Sequence, residues 1–165
     1  MRSSEPPELF NIVKLLSESG ADFVIIGGLA LQLQGGDYLT VDVDFAFTRK
    51  RENAKLIASA LAPYRPLPLN WPEGVPYVWD DQMLMNSTVV TLETDLGRID
   101  FLAEPDGAPP YAQLRANATI FEMYGRQVFV ASIDDLIAMK RAAGRTKDLA
   151  HIAELETIKK LLEEA

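Results

Sequence analysis

Apolar residues recur along this chain first at helical spacing and then in short runs, and the switches between the two mark out its elements. Leu9, Ile12, Val13 and Leu16 fall on one helical face. Ser4 is a plausible N-cap, Pro6 or Pro7 suits the first turn, and Gly20 is a natural stop. The run Phe23-Val24-Ile25-Ile26 predicts a first strand from Asp22 to Gly27. Leu29 to Leu33 follows as a short apolar helix that Gly35-Gly36 brings to an end. In Val41-Asp42-Val43-Asp44-Phe45 the period is two, so a second strand projects Asp42 and Asp44 from the same face. Thr48 then caps a helix from Arg49 to Leu61, with Ala54, Ile57, Ala58 and Leu61 inward.

The second half repeats the alternation. Asp80 to Met85 predicts a helical turn. Ser87 to Glu93 and Arg98 to Leu102 read as a hairpin around Asp95-Leu96-Gly97. Pro110 to Arg115 reads as a helix, and Thr119 to Met123 with Gln127 to Ala131 as a second hairpin across Tyr124-Gly125. Ser132 caps the next helix, where Asp135 at the third position completes the acidic form of a capping box. A closing helix from Leu149 to Glu164 has Ile152, Leu155, Ile158 and Leu162 inward. Between the halves, Pro63, Pro66, Pro68, Pro72 and Pro76 crowd together with Trp71, Tyr77 and Trp79. That segment is either a loop folded over one sheet edge or a lid with a base-stacking surface.

Composition narrows the class. The 165 residues are enough for one domain with a full core, here taken as 1–165. No apolar run approaches the ~20 residues of a membrane span, and the first residues lack the apolar stretch of a signal peptide. The absence of cysteine removes disulfides and thiolate metal sites and is compatible with the cytoplasm. A net charge of −8 argues against broad nucleic-acid binding while leaving a locally basic groove open.

The chemistry concentrates between Phe23 and Phe47. Two like charges on adjacent same-face positions repel unless a cation sits between them, and Mg²⁺ is commonly held by one or two carboxylates plus substrate phosphates. Gly27-Gly28 leaves backbone N–H groups free of Cβ bulk at the start of the short helix, which suits a phosphate. The alternative is that the glycines cap a strand and the aspartates line a solvated edge. A third acid, Asp100, stands in mid-strand between Ile99 and Phe101, a position that disfavours aspartate. Glu93 and Asp95 fit hairpin surface better. Lys140, Arg141, Arg145 and Lys147 put four cations in eight residues, either a solvated helix end or a phosphate-binding cluster.

Gly27-Gly28, thirteen residues, and then Asp42-x-Asp44 resemble the signature of the DNA polymerase beta-type nucleotidyltransferase superfamily. Asp100 resembles that superfamily's third acid. The segment from Ser132 through Arg145-x-Lys147-Asp148 is similar to small members related to abortive-infection and toxin–antitoxin proteins. The resemblance covers nearly the whole chain. It implies an α/β (α+β) fold, a mixed sheet that is mostly antiparallel after its first strands, with flanking helices. It further implies Mg²⁺ or Mn²⁺ on Asp42, Asp44 and Asp100, and a nucleotide held by Gly27, Gly28, Thr40, Lys140, Arg145 and Lys147, with Asp148 nearby and Arg141 less secure. The implied reaction moves a nucleoside monophosphate from an NTP to an acceptor hydroxyl on RNA such as tRNA, a protein or a small molecule. The alternative is a catalytically weak relative that binds nucleotide or an antitoxin-like partner. Two positions depart from the pattern: Tyr38 stands where the superfamily often has arginine, and His151, the single histidine, where the subgroup often has aspartate.

Overall fold

The computed structural model describes residues 8–165. Ser4, Pro6 and Pro7 therefore lie outside the described residues. Helix α1 (Leu9–Ser19) buries Ile12, Val13 and Leu16, the face its spacing predicts, and ends at Gly20 with φ of 80°. That left-handed angle costs glycine little, which is why the helix stops there. Strand β1 (Phe23–Ile26) follows, buried at all four positions as a central strand covered on both faces must be. It is shorter than Asp22 to Gly27, because Gly27 already opens helix α2 (Gly27–Leu33).

Strand β2 (Asp42–Phe47) runs antiparallel to β1, and helix α3 (Arg51–Leu61) buries Ala54, Ile57, Ala58 and Leu61. Thr48 does not cap α3. The cap position is Lys50, with no side-chain bond, while the Thr48 carbonyl accepts from Asn53 Nδ2 at 2.9 Å. A 3₁₀ turn and the two-residue strand β3 (Leu67–Pro68) lead into the proline-rich segment, an irregular stretch that is exposed from Trp71 to Asp80 apart from half-buried Tyr77 and Trp79. Trp79 donates to the Ala58 carbonyl at 2.8 Å, and the Trp71 and Tyr77 rings pack on each other with centroids 4.9 Å apart. Asp80 caps the short helix α4 (Asp81–Asn86).

Strands β4 (Val89–Thr94) and β5 (Gly97–Leu102) form the first hairpin; β6 (Thr119–Met123) and β7 (Arg126–Val130), after helix α5 (Tyr111–Asn117), form the second. All seven strands join one sheet in the order β3-β4-β5-β2-β1-β7-β6, parallel at β2/β5 and β1/β7 and antiparallel elsewhere. The fold is thus a mixed α/β sheet with flanking helices. Helix α6 (Ile133–Ala143) starts with the Ser132 hydroxyl accepting from the Asp135 amide at 3.1 Å. Helix α7 (Thr146–Glu163) begins three residues earlier than Leu149. Leu155 is buried in it as expected, but Leu162 is 61 % exposed, because the last turns run beyond the core. Among the described residues no helix is long and apolar enough to cross a membrane.

Candidate active site

Strand register brings the acids together. Asp42 and Asp44 share a face of β2, and in the parallel β2/β5 pairing Asp44 lies directly opposite Asp100. One carboxylate oxygen from each of Asp42, Asp44 and Asp100 lies within 4.8 Å of the others. Their strand neighbours Val43, Phe45, Ile99 and Phe101 are fully buried, so the backbone beneath the acids is anchored in the core. Asp44 Oδ1 and Asp100 Oδ1 are buried without a hydrogen-bond partner. Burial, chiefly, then the Asp100 carboxyl and the Asp42 charge push the Asp44 carboxyl up to about 8, while Lys140 pulls the other way. Crowded, orphaned carboxylate oxygens are the donor set of a hard divalent cation. The three acids are grouped so that they could hold a metal ion.

Neighbours of the acids set their geometry. The Thr40 hydroxyl oxygen is 2.9 Å from the Asp42 carbonyl oxygen and 3.1 Å from Asp42 Oδ1, so Thr40 orients the first acid. Arg98, opposite Asp42 in the register, places Nε 3.8 Å from both Asp42 Oδ2 and Asp100 Oδ1. Alternation along β5 puts Arg98 on the face of Asp100, a signal available in the sequence and missed there.

The glycine pair is explained by packing against these side chains. Gly27 has φ of 68°, and a Cβ there would overlap Asp44 Oδ2 and lie 2.9 Å from its Cγ. A Cβ on Gly28 would come within 2.6 Å of the Tyr38 ring and 3.0 Å of Thr40 Cβ. The direction that a Cβ would take at either glycine is therefore filled by protein side chains. Gly27→Ala is expected to cost about 1–3 kcal/mol from strain and overlap and to push Asp44 out of register. The melting-temperature gain on adding Mg²⁺ should fall with it; a variant that melts like the wild type with and without Mg²⁺ would show that Gly27 is replaceable.

The cations arrive from α6 and the start of α7. Lys140, only 9 % exposed, places Nζ 3.0 Å from His151 Nδ1 and 3.5 Å from Asp148 Oδ1. Burial lowers the Lys140 ammonium pKa, and the Asp148 charge partly offsets this. Asp148 is fully buried; it accepts from Arg145 Nε at 2.8 Å, Arg145 Nη2 at 3.1 Å and the Arg145 backbone amide at 3.0 Å. Those bonds hold its carboxyl down at about 2 and cap α7. Lys147 is exposed, and its charge acts on Lys140 and His151. Arg141 points elsewhere, bonded to Glu156 at 2.7 Å.

A cleft of about 370 Å³ lies beside the acids, lined by Gly27, Leu102, Leu136, Met139, Lys140 and Arg145 among others. It is a largely apolar trough whose lining also carries Lys140, Arg145 and Asp106, with Gly27, packed against Asp44, in its wall. A larger cavity of about 440 Å³ sits at the opposite end of β1. Its Asp22 is already satisfied by Tyr111 at 2.6 Å and Arg115 at 3.1 Å; the three clustered acids line neither cavity, but the smaller one includes Gly27, which packs against Asp44. Geometry thus favours the smaller cleft.

No family model matches the chain, and comparison with curated proteins found no match. Several solved structures do share its shape. The lincosamide antibiotic adenylyltransferase LnuA, solved with lincomycin bound, superposes with a TM-score of 0.59 at 16 % identity, over 92 % of this chain and 96 % of that one. A nucleotidyltransferase-like protein from Paracoccidioides brasiliensis gives 0.59 at 16 % identity, over 97 % of this chain and 78 % of that one. ANT(2'')-Ia, in complex with adenylyl-2''-tobramycin, gives 0.54 at 16 % identity, over 92 % and 91 %. Such low identity carries the architecture and not the substrate. The chain has the nucleotidyltransferase fold, with three aspartates grouped so that they could hold a metal ion.

Proposed function

We propose that this protein transfers a nucleoside monophosphate from an NTP to an acceptor hydroxyl, with release of pyrophosphate. The observation that carries the reading is the convergence of Asp42, Asp44 and Asp100 beside a cleft whose lining includes Lys140 and Arg145. In the reaction the acceptor oxygen attacks the α-phosphorus, and the bond from that phosphorus to the leaving pyrophosphate oxygen breaks. Asp42, Asp44 and Asp100 would hold Mg²⁺ or Mn²⁺, which neutralises developing charge and makes the acceptor oxygen a better nucleophile. The protein's own part is positioning and charge. Asp44 gives up the proton that it carries at neutral pH, and Thr40 keeps Asp42 aimed at the other two acids. Lys140 and Arg145 face the phosphates as cations, arginine in a form that can clamp them bidentately. Lys147 adds charge from farther out.

Leu102, Leu136 and Met139 give the cleft apolar walls for the flat face of a nucleoside. Ala143→Phe, at the exposed end of α6, is expected to fill part of it and weaken NTP binding about tenfold, since roughly 1.4 kcal/mol of packing is displaced. The Mg²⁺-dependent rise in melting temperature should persist in that variant. Unchanged NTP affinity would move the nucleoside out of this cleft.

The names of two structural neighbours point to small-molecule acceptors, lincomycin and tobramycin, which keeps a small hydroxylated compound beside RNA and protein as the acceptor here. The second reading, a weakly active nucleotide- or partner-binding relative of toxin–antitoxin type, is favoured by Tyr38: an uncharged ring packed over Gly28 replaces a phosphate-binding cation. Titrating the protein with Mg²⁺–ATP and Mg²⁺–GTP by calorimetry tests the shared premise. Saturable binding that needs the divalent ion is expected; its absence would reject nucleotide transfer and nucleotide binding alike and leave only partner binding.

A further inference from the structure

The two residues that depart from the expected pattern, Tyr38 and His151, touch each other. Their ring centroids are 4.6 Å apart in an edge-to-face arrangement. Tyr38 is itself wedged against Gly28, and the Asp37 amide donates to the Glu154 carboxylate one turn from His151. The imidazole is only 8 % exposed, and its Nδ1 lies 3.0 Å from Lys140 Nζ. Lys140 faces the fully buried Asp148 carboxylate at 3.5 Å, and that pairing keeps it an ammonium with a proton to donate. An ammonium has three N–H donors and no lone pair. The Nδ1 that meets it must therefore be the unprotonated nitrogen, with the imidazole neutral and its proton on Nε2.

We propose that His151 is the positioning residue of this site: its Nδ1 lone pair, with Asp148, aims the buried Lys140 ammonium at the nucleotide phosphates, and Tyr38 holds the ring in place. The role rests on the nucleotidyltransferase reading of the same site. A lysine side chain has four rotatable bonds, and pinning its head removes much of the entropy that phosphate binding would otherwise cost. Two acceptors on one ammonium leave its third N–H for a phosphate oxygen.

The arrangement has a pH consequence. Protonating His151 would set two cations 3.0 Å apart and turn the acceptor into a donor, so Lys140 would lose its aim. The groups that face His151 are Lys140 from α6, Tyr38 from the segment before β2, and Asp148, Lys147 and Glu154 from α7 itself; Arg145 and Asp44 act on Lys140 from beyond them. Burial first, and Lys140 second, lower the His151 pKa below its ordinary 6.5, with Asp148 opposing. The acid limb of nucleotide binding should follow that lowered value.

Because His151 is the single histidine, its imidazole resonances are unambiguous. In ¹⁵N-labelled wild type, NMR should show an unprotonated Nδ1, a protonated Nε2 and a pKa below 6.5. In Lys140→Met the pKa should rise, since a cation is removed. A protonated Nδ1 at neutral pH, or a titration that Lys140→Met leaves in place, would overturn the proposal without reference to any nucleotide. Two variants then test the role by Mg²⁺–ATP affinity against pH. His151→Phe keeps a ring beside Tyr38 and deletes the acceptor, and about a tenfold loss is expected at every pH. His151→Asn puts an amide oxygen near the Nδ1 position and cannot titrate, so affinity should be largely rescued and the histidine-dependent acid limb should vanish. Wild-type affinity in His151→Phe, or an unaltered acid limb in His151→Asn, would overturn it. A wild type that binds no Mg²⁺–ATP while the NMR result holds would instead reject the nucleotidyltransferase reading.

Discussion

Asp44→Asn is expected to lose nucleotidyl transfer and, in the same molecule, to stabilise the metal-free fold at pH 8. The substitution keeps the shape of the side chain and removes one of three crowded charges. In the native state the Asp44 carboxyl titrates at about 8 against 3.8 for the ordinary group. Between those values the folded protein binds more protons than the unfolded chain, so Asp44 makes stability fall as pH rises from about 4 through about 8. Above pH 8 the ionised carboxylate costs the metal-free fold on the order of 2–4 kcal/mol, a melting-temperature difference of roughly 5–15 °C. Asparagine has no such slope. Wild type and variant should therefore melt together near pH 4 and diverge toward pH 8.5 in EDTA. Mg²⁺ at a hundredfold excess over its dissociation constant should return about 2.7 kcal/mol to the wild type and little to the variant. Transfer should fall by about 10²–10³-fold or more, as it does when a group that stabilises transition-state charge is lost. A structural role for Asp44 gives the reverse: an equal loss of stability with and without the ion.

Asp148→Ala is expected to be the most destabilising single change in the site. Asp148 is fully buried, bonded twice to the Arg145 guanidinium and once to its backbone, and paired with Lys140 at 3.5 Å. Removing it leaves the largely buried Lys140 without its counter-charge and α7 without its cap. Breaking a buried pair from one side costs about 3–5 kcal/mol. The folded carboxyl sits near 2, below its unfolded value of 3.8, so its contribution is complete above about pH 4 and is lost as pH falls toward 2. Thermal melts of wild type and Asp148→Ala should differ by roughly 6–15 °C from pH 5 to 8, and the gap should narrow as pH falls from 4 toward 2. A difference under about 1 kcal/mol at neutral pH would mean that the cluster contributes little to the fold.

Much of this site was readable before any coordinates. Period two in Val41-Asp42-Val43-Asp44 places two acids on one face because strand geometry leaves no other choice, and an aspartate between Ile99 and Phe101 is costly enough to need a reason. The helical stripes of α1 and α3 were equally plain, since each buries a continuous face. What escaped was set by tertiary contact. Tyr38 and His151 lie more than a hundred positions apart, and nothing local links them. Gly27 and Gly28, read as a phosphate cradle, also give clearance to Asp44, Tyr38 and Thr40, a packing role that only the tertiary contacts reveal. Leu162 fits the apolar spacing of α7 yet stands exposed, because periodicity does not say where the core ends. Thr48 has the chemistry of a cap, but Asn53 takes its carbonyl and the helix starts later.

Asp42, Asp44 and Asp100 should together support transfer of a nucleotide. Incubating wild type and Asp44→Asn with each NTP labelled at the α-phosphate, Mg²⁺ or Mn²⁺, and separate panels of RNA, protein and small hydroxylated acceptors tests it directly. The predicted result is labelled acceptor with an equal yield of pyrophosphate, dependent on the divalent ion and missing from Asp44→Asn. Equal labelling by both proteins, or no labelled product from any NTP and no metal-dependent NTP binding by the wild type, would contradict it.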